Sequence, residues 1–313
     1  YCGTKTALVS VGTDELQANK PGGYKSVQDG SLGISDDGRF VVFATTAQVV
    51  TTDSAGAVRS VDTDALLDVY VRDRDTDGDK IFDERDAAST YLISQATANT
   101  VAAGFPTISA DGRSIAYEDG SNIRIVRLSV VTGRPTVTTV VTVGTVVGSR
   151  PAIGVAAGAT AGVIAYQRSG IVYTRSLPTP ATGLSTIGTE RSFGEGTLPQ
   201  LDRAGKTVAF SRSIVGGVQS VRAGLTSVGG SRLISRTAAS VNGNAASGAQ
   251  TVFPEVAVLD DAVSTALVAF SSDASNLISG DSNGARDVFE NRWTPVVISV
   301  STSVTPTVPA ARG

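Results

Sequence analysis

The 313-residue chain has no histidine, no methionine and a single cysteine. Without imidazole there can be no histidine acid–base pair, no Ser–His–Asp triad and no histidine-containing metal set. Cys2 alone cannot close an internal disulfide, and at that position it suits a lipid anchor, an intermolecular bridge or a leftover beside a cut site. The lack of methionine leads us to expect a processed or trimmed product. Long apolar runs are missing too. The longest uncharged candidate, Pro151 to Gln167, is short and broken by glycines, so no transmembrane segment is expected. No stripe of Lys and Arg stands out, which argues against nucleic acid as a partner. Phosphate-binding glycine loops, haem attachment sites, zinc spacings and Asn-x-Ser/Thr sequons are all absent.

What the chain does have is a cluster of acids. Net charge is only −3, yet acidic residues crowd between Asp53 and Asp86. Within that region, Asp73-Arg-Asp75-Thr-Asp77-Gly78-Asp79-Lys-Ile81-Phe-Asp83-Glu84 fits the twelve-residue calcium-loop template. Carboxylates occupy positions 1, 3 and 5, Gly78 is at position 6 and Glu84 at position 12. A chain that turns sharply at Gly78 points alternate oxygens at one centre, and Glu84 could close the shell with both oxygens. The expected metal ligands are therefore Asp73, Asp75, Asp77, Asp79 and Glu84, with Asp79 acting through its backbone carbonyl, and the ion is Ca2+. The flanks, Asp68–Arg72 and Thr90–Ser94, read as strands, so the loop is expected between strands and not between helices. The alternative is a solvated acidic hairpin tip. A weaker second set, Asp281, Asn283 and Asp287, either holds another calcium or forms an Asn-Gly turn with Asp287 capping the next strand.

Helical periodicity is almost missing. Short β-branched runs are separated by Gly, Asp, Asn and Ser, as in an all-β fold. One submotif recurs: Ile34-Ser-Asp-Asp-Gly-Arg-Phe-Val-Val-Phe43 returns as Ile108-Ser-Ala-Asp-Gly-Arg-Ser-Ile-Ala-Tyr117. A third copy is Leu201-Asp-Arg-Ala-Gly-Lys-Thr-Val-Ala-Phe210, with looser copies at Ile153 to Tyr166 and Val256 to Phe270. Their starts lie 74, 45, 48 and 55 residues apart, close to the period of a four-stranded blade once the acidic insertion is allowed for. The Asp-Gly pairs, including Asp37 and Asp111, suggest primed hairpin turns. Each copy is followed by a third strand (68–72, 122–128, 170–175, 217–222, 287–293) and a fourth (90–94, 136–143, 184–189, 231–236, 295–301). The pattern predicts one β-propeller domain over 1–313 with five four-stranded blades, six and seven being other counts such repeats take. Thr6–Val11 and Val296–Val300 both read as closing strands, so one is surplus. That surplus suggests self-association into a homo-oligomer or filament. Residues 302–313 form a Ser/Thr/Pro-rich tail.

The blocks Pro106-Thr-Ile-Ser-Ala-Asp-Gly-Arg113 and Val268 to Phe289 resemble TolB-like, PD40-type (WD40-like) propeller repeats of bacterial secreted and envelope proteins. The resemblance covers nearly the whole chain, with the copies from about 150 to 250 eroded. It implies a propeller and an extracellular, cell-surface or periplasmic location, but no one reaction. The expected function is a non-enzymatic calcium-stabilised structural module, or one that binds a protein or glycan partner. The alternative is a carbohydrate-active enzyme, a glycoside hydrolase or lyase, with Glu118 and Asp119 as the acids to test.

Overall fold

A computed structural model describes residues 6–17, 32–52, 58–60, 62, 66–94, 101–130, 137–156, 159, 161–177, 187–212, 218–248, 255–260 and 265–294. No helix occurs among them. The strands are β1 (Leu32–Ile34), β2 (Phe40–Thr45), β3 (Val50–Thr52), β4 (Val58–Ser60), β5 (Asp68–Asp73) and β6 (Ser89–Leu92). Next come β7 (Ala103–Ile108), β8 (Ser114–Asp119), β9 (Asn122–Val130), β10 (Val137–Val147), β11 (Ser149–Gly154), β12 (Gly162–Arg168), β13 (Ile171–Leu177) and β14 (Arg191–Glu195). The last are β15 (Thr197–Leu201), β16 (Thr207–Arg212), β17 (Ser220–Leu225), β18 (Arg232–Leu233), β19 (Glu255–Asp260), β20 (Thr265–Ser272) and β21 (Asp287–Trp293).

They form four successive four-stranded antiparallel sheets, β1-β2-β5-β6, β7-β8-β9-β10, β11-β12-β13-β14 and β15-β16-β17-β18. A three-stranded sheet, β19-β20-β21, follows them. The hairpin β3-β4 is an insertion between β2 and β5. Chain order equals spatial order in every sheet, and the first strands of neighbouring sheets approach one another: β1 meets β7, β7 meets β11, β11 meets β15 and β15 meets β19. This is the blade arrangement of a β-propeller, with first strands innermost.

The recurring aromatic explains how the blades stack. Side chains alternate along a strand, so each second strand sends its aromatic and its alanine to opposite faces. Ile115 and Tyr117 pack against Val42, Val69 and Val71 of the preceding blade, while Ala116 joins Ile153 and Ile164 of the following one. Blade three repeats the scheme, with Tyr166 facing backward and Ala165 forward, and so does blade four, with Phe210 backward and Ala209 forward. A large residue on one face against a small one on the other lets consecutive sheets close on each other. Tyr117, Tyr166 and Phe210 are fully buried.

The turn between first and second strands departs from the expected primed type. A type I′ turn needs positive φ at both central residues, and here only the glycines have it: Gly38 at 76° and Gly112 at 70°. Gly38 N–H instead donates to the Ser35 carbonyl at 2.9 Å, and Asp37 accepts from the Ser35 hydroxyl at 2.6 Å and from Arg39 N–H at 3.0 Å. Asp111 does the same with Ser109 and Arg113. Both aspartates therefore act as turn residues.

Other boundaries shift. The expected strand at Thr6–Val11 does not form. Residues 6–10 lie outside any strand, and only an isolated bridge joins Val11 to Gln17. The chain turns there because Arg72, 1% exposed, draws it onto blade one. Its guanidinium donates to Glu15 at 2.8 and 3.0 Å and to the Gly12 carbonyl at 3.3 Å. The fourth strand of blade three is Arg191–Glu195, downstream of the expected 184–189, of which 187–189 are not strand. Cys2, the closing strand at 296–300 and the 302–313 tail lie outside the described residues.

In blade one, burial raises the Tyr70 hydroxyl pKa well above its ordinary value, and a 2.8 Å hydrogen bond to buried Asp62 adds to the rise. The phenol therefore stays a donor. Tyr70→Phe removes that donor from a buried carboxylate and is expected to cost about 1–3 kcal/mol, read from urea melts.

Candidate metal centre on the first blade

The acidic segment leaves β5 at Asp73 and returns into β6 at Ser89, between strands as expected. The roles of its residues differ from a simple reading of the template. Asp73, whose side chain is 0% exposed, presents both oxygens to Arg39, at 2.7 Å from Nε and 2.7 Å from Nη2, and its Oδ1 also accepts from Asp75 N–H at 3.1 Å. β2 begins at Phe40, which pairs with Asp73 across the sheet, so Arg39 is delivered beside that carboxylate by register. Burial pushes the Asp73 carboxyl up from its ordinary pKa, with Arg39 working against the rise.

Asp75 organises the turn. Its Oδ1 accepts from Gly78 N–H at 2.8 Å and Asp79 N–H at 3.1 Å, and its Oδ2 accepts from Lys80 N–H at 3.1 Å. Gly78 and Lys80 both have positive φ, 80° and 71°, a conformation glycine adopts freely and lysine does not. A second clamp closes the loop. Arg74 donates to Asp83 at 2.6–3.2 Å and to the Gly38 carbonyl at 2.8 Å, and it lies over the Phe82 ring.

The carboxylates that converge are those of Asp75, Asp77 and Asp79, which bring one oxygen each within 4.8 Å of one another. Asp75 is buried, and the other two are exposed. Asp73 and Glu84 are not part of this group, and Glu84 is half-buried. Three carboxylate oxygens offer a hard, anionic half-shell of the kind calcium or manganese takes, leaving the rest to carbonyls and water. The arrangement could hold a metal.

The second set is a turn. Asn283 donates its amide to Asp287 at 3.2 and 3.3 Å and accepts from Ala285 N–H at 2.8 Å, so its oxygen already serves the backbone. Gly284 carries the positive φ of that turn, and Asp281 belongs to the lining of a shallow cavity beside it. Glu118 and Asp119 do not face each other, because neighbours on β8 point to opposite sides. Glu118 accepts from Arg150 N–H at 2.6 Å, and Asp119 pairs with Arg124.

Sequence reasoning missed the arginines that hold this loop. Arg39 follows the Asp-Gly turn, and Arg74 sits inside the calcium template at a position that carries no ligand. Only the register between β2 and β5 reveals the first pairing.

No protein-family model matches the chain, and no curated protein matches it. Among solved structures, TolB from Acinetobacter baumannii is similar at 14% identity over 77% of this chain and 51% of that one, with a TM-score of 0.40. The chain thus spans about half the length of that protein. An oligogalacturonate lyase in complex with manganese matches at 12% identity over 84% and 64% of the two chains, TM-score 0.46. A periplasmic gluconolactonase from Pseudomonas aeruginosa matches at 11% identity over 85% and 72%, TM-score 0.40.

Proposed function

We propose that the chain is a non-enzymatic, extracytoplasmic propeller module that serves a structural role or binds a protein or glycan partner, and that Ca2+ stabilises its first blade. The observation that carries this reading is the convergence of Asp75, Asp77 and Asp79 in a loop clamped at its base by Arg39–Asp73 and Arg74–Asp83. The clamps set the carboxylates close together before any ion arrives, so mutual repulsion is relieved on binding. Asp73 and Glu84 complete the expected ligand set only through the backbone or after rearrangement, since Asp73 already serves Arg39. Millimolar calcium outside the cell suits a site of three carboxylates between strands. No helix pair flanks the loop to be opened, so the ion acts as a structural staple and not as a switch.

Binding to the folded form alone raises stability by about 2.7 kcal/mol when free calcium is a hundredfold above the dissociation constant. For a chain of 313 residues that is roughly 4 °C in melting temperature. The measurement is a thermal melt in EGTA and in millimolar CaCl2. Asp77→Asn and Asp79→Asn should abolish the shift while leaving the EGTA melt unchanged or slightly raised, because each removes a like charge. Equal melting temperatures with and without calcium would sink the metal reading.

A further inference from the structure

Residues 11–17 lie over blade one, and polar contacts hold them there. Thr13 N–H donates to the Val50 carbonyl of β3 at 2.8 Å, and Thr90 N–H of β6 donates to the Thr13 hydroxyl at 3.0 Å. The Thr90 hydroxyl donates to the Val11 carbonyl at 2.8 Å. Val11 is the segment's one buried apolar side chain, and Leu16 is 67% exposed. The attachment therefore depends on its polar groups, of which the strongest is the two-pronged pair of Glu15 with the buried Arg72.

Arg72 faces the acidic loop as well. Its Nε is buried without a hydrogen-bond partner among the described residues, and Asp83 Oδ1 stands 3.9 Å from it. Asp83 is committed to Arg74 instead, accepting from Nε at 3.2 and 3.1 Å and from Nη2 at 2.6 Å. One carboxylate thus sits between two guanidiniums, and Glu15 satisfies the one that Asp83 leaves. The Asp83 side chain is largely buried, so solvent screens neither pairing strongly. Asp83 N–H also donates to the Arg74 carbonyl at 2.9 Å, so this pair fixes the return of the loop toward β6.

We propose that residues 11–17 are a latch that sets the state of the acidic loop, with Asp83 passing between Arg74 and Arg72. With Glu15 on Arg72, Asp83 is left to Arg74 and the loop is clamped. With Glu15 withdrawn, Arg72 holds a buried charge without a carboxylate, and Asp83 turns to fill that place. Arg74 then loses its partner and the loop's return is released. With it goes the arrangement that brings Asp75, Asp77 and Asp79 together. The two states differ in named contacts, and the coupling is reciprocal, so whatever rigidifies the loop also holds the latch. The latch stands without the metal reading, and only its effect on calcium rests on that reading.

The test is hydrogen exchange of the full chain in EGTA, followed by calorimetric titration with CaCl2. In Glu15→Ala, exchange over residues 76–84 should quicken about fivefold or more, with β8 and β9 unchanged. Leu16→Ala alters an exposed side chain of the same segment and should leave the loop as it is. In an Arg74→Gln background the clamp is already gone, so Glu15→Ala should add little further exchange. Calcium affinity should fall in Glu15→Ala by a factor similar to the gain in exchange. Equal exchange over 76–84 in the parent and Glu15→Ala, or full additivity with Arg74→Gln, would overturn the latch. A parent chain that binds no calcium, with exchange responding as stated, would remove the metal reading and leave the latch supported.

Discussion

Arg39→Ala is expected to destabilise the chain by about 3–5 kcal/mol, the cost of leaving a buried charge without its partner. Asp73 is 0% exposed and Arg39 14%, so water cannot take over the role of the guanidinium. Two of the three guanidinium nitrogens of Arg39, Nε and Nη2, engage Asp73 in the two-pronged geometry that makes such pairs strong. The sign of the pH dependence follows from Asp73. Burial raises its folded pKa above the unfolded value even with Arg39 present. An acid of that kind contributes most stability below its unfolded pKa, and the contribution falls as pH rises through the folded pKa. Removing Arg39 takes away the main opposition to the rise, so the protonated form persists to higher pH in the variant. The penalty should therefore be largest near pH 7 and shrink as pH falls toward the ordinary carboxylate range. Urea melts at several pH values measure it. Adding Asp73→Asn to Arg39→Ala should recover part of the loss at pH 7, because the uncompensated charge is gone. A penalty that does not change with pH would show that lost packing, and not the stranded carboxylate, is the cause. The double substitution also separates the clamp from the ion, since the carboxylates of Asp75, Asp77 and Asp79 are intact in it.

The blades were legible because their signal is periodic. The turn glycine, the strand that follows and its closing aromatic recur wherever a blade must meet its neighbour, and Phe43, Tyr117, Tyr166, Phe210 and Phe270 all fall on second strands. The Asp68 and Asp287 starts of third strands were legible too, each aspartate opening a run of β-branched and aromatic residues. Three fourth strands were legible as well, forming at Ser89–Leu92, Val137–Val147 and Arg232–Leu233, the last only two residues long. The fourth strand of blade three was not. The register of Arg191–Glu195 against β13 is fixed across the sheet, with a shift between Val172 and Tyr173, which no local pattern encodes. The N-terminal segment misled because β-branched residues at 6–11 read as a strand, whereas Arg72, sixty residues away along the chain, captures the Gly12 carbonyl. At the metal loop the spacing located the acids correctly in sequence. It was silent about which carboxylates an arginine would claim, because that choice is made by β2.

Gly154→Val is expected to cost about 3 kcal/mol, and the reason is the junction between blades three and four. A Cβ at Gly154 would lie 2.5 Å from Gly205 Cα, 2.6 Å from Gly205 N and 2.7 Å from the Asp202 carbonyl. All three are backbone atoms of the β15–β16 turn, so no rotamer change relieves the clash. That turn is itself rigid. Asp202 accepts from Ala204 N–H at 3.0 Å and from Thr207 N–H, and Gly205 has φ at 70°. The two blades must therefore part, which exposes the packing of Ala152 and Ala165 against Val208 and Phe210. Gly170→Ala is the informative comparison. Gly170 has positive φ, 75°, but nothing lies within 4 Å of a Cβ there, so only backbone strain of about 1–2 kcal/mol is expected. A larger loss at Gly154 than at Gly170, read from melts of both variants, would show that contact between blades outweighs local conformation.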